Sequence, residues 1–242
     1  MSKTKTVIIR TIIVTIVLIL AGLGACAAFE LPDPISVEQR ARAEATFDAQ
    51  ALDAALTDIS RWHHDNQTQI AAALQPGLEE AVVQEKFATL PCRPTEELVQ
   101  LWGWHNGTRD TAQPFIWYHN FLPVEQVITE YEALRANPRL GWRENWLPVF
   151  EFEGEWYFVE CDDRPRTASP VGYFFQEDTE AIVAYTSLTK MLETSAAWFK
   201  KRAVTWDARQ EAMQEDLKRL LEIHQDLNED ARFPYHVENS DK

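Results

Sequence analysis

Cysteine is scarce in this chain: three residues in 242, at positions 26, 92 and 161. With six scattered histidines, they make neither a zinc module nor a disulfide-dense miniprotein. Glycine is thin too. Beyond the first 30 residues it occurs only at 77, 103, 107, 141, 154 and 172, too spread out for a phosphate-cradling loop. Positive charge is the third shortage. Against 38 Asp and Glu there are 23 Lys and Arg, a net of −15. Such a chain is ill suited to nucleic acid phosphates and well suited to a basic partner. Long apolar runs are confined to the first 30 residues. Aromatics are abundant, with nine Trp, twelve Phe and six Tyr. They exclude wholesale disorder, because their burial offsets the entropy lost on ordering. The length suits one sizeable core or two small ones.

The N-terminus reads as a separate object. Lys3, Lys5 and Arg10 are followed by an uncharged run of 19 residues, 11–29. A positive segment before an apolar one is the form of an export signal. The run contains Leu23-Gly24-Ala25-Cys26, which resembles a bacterial lipobox, with Cys26 as the lipid-bearing thiol. An uncleaved anchor is the alternative, since about 20 apolar residues span a bilayer. Both readings put the rest of the chain outside the cytoplasm. Removal of residues 1–25 takes three basic residues and no acid, leaving 20 against 38, a net of −18.

Residues 26–35 read as a tether, kept extended by Pro32 and Pro34. A helical region is expected over 36–89. Ser36 and Gln39 fit a capping box, and Phe47, Ala51, Ala55, Ile59 and Trp62 recur at helical spacing. The pattern extends through Ile70 to Leu74 and stops at Pro76-Gly77, with a shorter helix over 78–87. A helix opening at Pro94-Thr95 is expected to end at Asn106-Gly107. Residues 115–118 read as a strand. The helix after Pro123 stops at Asn137-Pro138. Residues 149–152 and 156–161, joined through Gly154, read as a hairpin. Strands over 170–175 and 181–185 follow, then a helix capped by Ser187. A last helix carries Trp206, Met213, Leu217, Leu220 and Leu227, and the polar tail after Asn228 is expected to be mobile.

In this order the motifs resemble the SUKH superfamily over residues 90 to about 204. The matching pieces are Leu90-Pro91, the helix stopping at Asn106-Gly107, and the helix bearing Val124, Val127 and Tyr131. Trp146-Leu147-Pro148-Val149-Phe150 then runs into a hairpin, and Tyr185-Thr186-Ser187-Leu188 leads into a helix with Leu192 and Phe199. The superfamily includes the fungal cell-wall assembly regulator and many bacterial immunity proteins. The resemblance implies an α+β fold, with a mainly antiparallel sheet flanked by helices, and a protein that binds proteins and is not a catalyst. Residues 205–242 would add a C-terminal helix and tail. An exported member departs from the intracellular habit of the superfamily, which leaves the usual target class open.

Candidate chemistry is sparse. His63-His64-Asp65 suggests a metal or proton-transfer cluster, but adjacent helical residues point about 100° apart, so a solvated face is the simpler reading. His105 is expected beside a helix C-terminus, and His119 has no partner visible in sequence. Cys161 is followed by Asp162-Asp163, and neighbouring acids raise a thiol pKa rather than activate it. Cys92 and Cys161 are expected either to pair or to be buried thiols. Trp146 and Trp156 read as core. Glu151, Glu153 and Glu155 alternate with Phe150, Phe152 and Trp156, which reads as the wet face of a sheet. With Glu160, Asp162 and Asp163 they make the hairpin locally anionic.

The expectation is therefore a non-catalytic, membrane-tethered binder of immunity or regulatory type at the cell envelope. No cofactor, metal or nucleic acid is called for. The partner is a basic protein, a toxin or an envelope protein. Glu151, Glu153, Glu155, Glu160, Asp162 and Asp163 are its candidate contacts, with Trp117, Tyr118, Trp142 and Tyr157 as candidate aromatic anchors. An envelope hydrolase using the hairpin carboxylates and a structural envelope lipoprotein remain as alternatives.

Overall fold

A computed structural model describes residues 45–109, 113–178 and 180–235. The signal or anchor segment with Cys26, the tether and the Ser36 capping box lie outside the described residues.

Helix α1 (Ala49–Asp65) starts where the Asp48 carboxylate accepts from the Gln50 and Ala51 amides, at 2.9 and 3.0 Å. Leu52, Ala55, Leu56, Ile59 and His63 form its buried stripe. The helical spacing does not carry on to Leu74. Gln67 takes a left-handed φ of 53°, so the chain turns and only a short α2 (Ile70–Ala73) follows. Strand β1 (Leu74–Pro76) then leads to α3 (Glu80–Phe87) and α4 (Glu96–Trp104), where the Thr95 hydroxyl accepts from the Leu98 amide.

Asn106-Gly107 is not a helix stop. It belongs to β2 (His105–Thr108), which pairs with β1. Asn106 Oδ1 accepts from the Val124 amide at 2.9 Å and so caps α5 (Val124–Ala136) from a distant strand. Gly107 sits at φ +70°, and a Cβ there would overlap the Pro123 backbone. Residues 115–118 are not a strand either. Ile116 and His119 close a tight turn with mutual backbone hydrogen bonds of 3.2 and 2.8 Å.

The central sheet has the order β3-β4-β5-β6-β7 and is antiparallel throughout: β3 (Asn120–Phe121), β4 (Trp146–Phe152), β5 (Glu155–Glu160), β6 (Val171–Phe175) and β7 (Ile182–Tyr185). Both faces of β5 are covered. Tyr157, Val159 and Cys161 enter the main core with the helices, while Trp156 and Phe158 join Leu134, Trp142, Trp146 and Phe174 on the other side. That two-sided burial explains the uninterrupted apolar run Trp156-Tyr157-Phe158-Val159. Trp146 and Trp156 are core residues, as their sequence reading holds. The Phe158 ring lies where a Cβ at Gly172 would be, so only glycine admits it.

Helix α6 (Leu188–Lys200), capped by Ser187, packs on α1, where Trp62 stacks on Phe199 with centroids 4.1 Å apart. The expected last helix is divided. Trp206 and Met213 face each other across a hairpin of β8 (Val204–Asp207) and β9 (Ala212–Glu215), and only Leu217–Leu227 is helical, as α7. Residues 229–235, expected in the mobile tail, do not hang free, and the rest of that tail lies outside the described residues. Phe233 and Tyr235 pack on the main core.

Candidate functional site

The hairpin acids fall into two groups at opposite ends of β5. Five residues of extended chain separate Glu155 from Glu160, about 17 Å. Glu151, Glu153 and Glu155 lie at the turn end. Glu153 is exposed, at a φ of 43°. Glu155 is half-buried beside the core tyrosines and accepts from the Tyr173 hydroxyl at 2.8 Å. Glu151 pairs across the strands with Trp156 and lines a separate cleft of about 180 Å3 with Thr108, Arg109, Asn120 and Gln126. Burial raises both carboxyls, helped at Glu151 by the charge of Glu130 and opposed at Glu155 by the tyrosine bond. These acids are not one wet face.

At the far end the sequence builds a wider cleft. Strand β5 ends where the Cys161 amide donates to Asn145 O at 2.8 Å. Cys161 and Cys92 are joined by a disulfide, with Cα atoms 5.3 Å apart. The next residue, Asp162, bridges to Arg93 through a 2.7 Å backbone bond. The Asp162 carboxylate accepts from the Asp163 amide at 2.7 Å and from Arg166 Nη2 at 2.5 Å. Hydrogen bonding from Asp163 and the Arg166 guanidinium holds its carboxyl down at about 2. The loop is tied behind to α4, because the Glu96 and Glu97 amides donate to Arg166 O and Thr167 O at 3.0 and 3.2 Å. The resulting cleft, about 460 Å3, is lined by Glu144, Glu160, Asp162, Asp163 and Arg166 around the disulfide. Glu160 is buried, whereas the Glu144 and Asp163 side chains are 63% and 79% exposed and sit in surface ion pairs, with Arg135 at 3.1 Å and Arg164 at 4.0 Å, which a partner's cations can exchange.

The proposed aromatic anchors are mostly spent inside. Trp117, Trp142 and Tyr157 are buried, and Tyr118 is half-buried with its hydroxyl on Glu215. The histidines also depart from their reading. His63 is not on a solvated face. It is buried against Thr68 Oγ1 and Phe115 O, at 2.9 and 2.7 Å, while His64 stays exposed. His105 bonds Gln75 O at 2.6 Å from within β2, and His119 is fully enclosed. No group of three metal-ligating side chains is found among the described residues.

Glu97 is a buried acid that sequence reasoning missed. It accepts from the Leu188 amide and from the amide and hydroxyl of Thr189, at 3.2, 2.8 and 2.6 Å. It therefore caps α6 from 91 residues away. Burial raises its carboxyl and these bonds oppose the rise. Nothing near Glu97 in sequence signals the role.

Residues 77–194 match the family model described as the SMI1 / KNR4 family (SUKH-1). This segment is a SUKH domain. The match takes in α3 and stops within α6, so α1, the β8–β9 hairpin and α7 lie outside it. No curated protein matches the chain. SUKH domains bind protein partners and are in general not catalysts.

Proposed function

We propose that this SUKH domain is an immunity-type or regulatory binder at the cell envelope, and that a basic protein docks on the acidic cleft beside the disulfide. The observation that carries the reading is the lining of that cleft, four carboxylates to one guanidinium, with that guanidinium already held by Asp162. Exposed acids at its rim steer a cationic partner and discriminate against others more than they tighten the complex. The family supports protein binding; the sign of the partner rests on this chain's own charge. Tethering rests on the lipobox-like Leu23-Gly24-Ala25-Cys26, with the other two cysteines engaged with each other.

Two experiments test this. The first is a pull-down from envelope extract at low and high salt, with wild type and with Glu144→Lys combined with Asp163→Lys. These side chains are exposed, so reversal leaves the core intact. Reversal at Glu155 would instead break its tyrosine bond. A partner retained equally by both proteins, with equal salt dependence, contradicts the reading. The second is metabolic labelling with a clickable fatty acid. Label is expected on wild type and not on Cys26→Ser, and equal labelling of the two argues for another attachment.

A further inference from the structure

A second region lies away from the acidic cleft, beside the edge strand β7. Tyr173, Tyr157, Tyr185 and His224 form a chain of ring contacts there, and Trp117 joins it through Tyr235. Residues 231–235, beyond the family match, lie against these rings. The Arg232 amide donates to Val183 O on β7 at 2.9 Å, a single backbone bond to the free edge of that strand. Phe233 and Tyr235, on either side of Pro234, both pack against the core there. Phe233 meets His224 with ring centroids 5.4 Å apart. Tyr235 meets Trp117 at 4.2 Å edge-on, and its hydroxyl lies 3.3 Å from that of Tyr157.

The seated segment fills the apolar part of the groove and leaves its polar part unserved. His119, fully buried and 4.5 Å from the Tyr157 ring, has no hydrogen bond at either ring nitrogen. Glu155 Oε2, its nearest charged neighbour, is 4.0 Å away. His224 donates from Nε2 to Ala184 O at 2.8 Å, which leaves Nδ1 as an acceptor without a partner. Buried polar atoms are nearly always paired, so two imidazoles with unpaired nitrogens near one segment call for an explanation. Trp117, which forms the floor under Tyr235, is held at a left-handed φ of 39°, strain of the kind stored at binding sites.

We propose that this groove is a peptide-docking site, with residues 231–235 as its resident occupant. The partner it fits is a short segment bearing two aromatic side chains two residues apart. Such a segment pairs with the β7 edge through its backbone, places its rings as Phe233 and Tyr235 do, and displaces the resident segment when it also serves the imidazole nitrogens. The site is independent of the acidic cleft, and the two readings fail separately.

The test uses the full chain and a labelled peptide of residues 230–236 as probe. The full-length Phe233→Ala/Tyr235→Ala variant, whose own segment no longer competes, is expected to bind the peptide at least tenfold tighter than wild type. Reversal at Glu144 and Asp163 is expected to leave that affinity unchanged. In wild type, hydrogen exchange at the Arg232 amide is expected to run at least a hundredfold faster than in β5, through local opening of the segment. A folded variant that does not bind the peptide overturns the proposal. So does an Arg232 amide that exchanges in step with β5, and that measurement decides the matter even if the variant fails to fold.

Discussion

At the residue scale the buried histidines make the first prediction. Burial lowers His63 to about 4 and His119 to about 3. The unfolded chain takes up these protons near pH 6.5, while the folded one refuses them. Stability is therefore complete above pH 6.5 and is lost as the pH falls toward 4, by about 3 kcal/mol at His63 alone. Melting temperatures between pH 7 and 4.5 should show the fall, and His119→Phe should flatten part of it without lowering stability at neutral pH. Glu97 has the opposite sign. Its raised carboxyl contributes stability at low pH that is lost as the pH rises above 4.5. Glu97→Gln should remove that part of the pH profile while keeping side-chain acceptance at α6, whereas Glu97→Ala should destabilise at every pH. None of these residues was placed by local sequence, because each is defined by what distant elements bring to it. The pairing of Cys92 and Cys161 was half-legible, since two thiols in an exported domain invite a bridge but only the fold brings their Cα atoms together.

Secondary elements show where sequence reasoning holds and where it stops. Helix α1 was readable from its stripe, and the β4–β5 hairpin from its apolar runs and Gly154. The failures share a cause. Asn106-Gly107 carries a local turn signal, but pairing of β2 with β1 outweighs it, and Asn106 serves α5 instead of its own helix. Trp206 and Met213 stand seven residues apart, two helical turns, a spacing that a hairpin can also bring face to face. Asn106→Ala should weaken the start of α5 by about 1 kcal/mol, the usual loss for a side-chain cap. Chemical denaturation with an unchanged slope would measure it. The acids of the hairpin were misjudged as one face because the two-residue turn at Glu153-Gly154 pairs Glu151 with Trp156 and Phe152 with Glu155, which puts Glu151 and Glu155 on opposite faces of the sheet.

The whole molecule joins a fold that was legible as a class to a site that was not. The ordered motifs pointed to the SUKH domain that residues 77–194 match, whereas the cleft assembles Pro91, Glu144 and Asp163 from segments far apart in sequence. The disulfide closes a loop of 69 residues around that cleft, which in the chain-entropy model stabilises by about 4 kcal/mol. Cys92→Ala with Cys161→Ala should therefore lower the melting temperature by about 10 °C, and reductant should do the same to wild type alone. The central claim, docking by charge on the acidic cleft, is tested most directly by association rate. The partner captured in the pull-down would be mixed with wild type and with the Glu144→Lys/Asp163→Lys variant across ionic strength. The account predicts a wild-type rate that falls about tenfold or more as salt shortens the Debye length from about 30 Å to 8 Å, and a variant that is slow throughout with little salt dependence. Equal rates with equal salt dependence in the two proteins would contradict it.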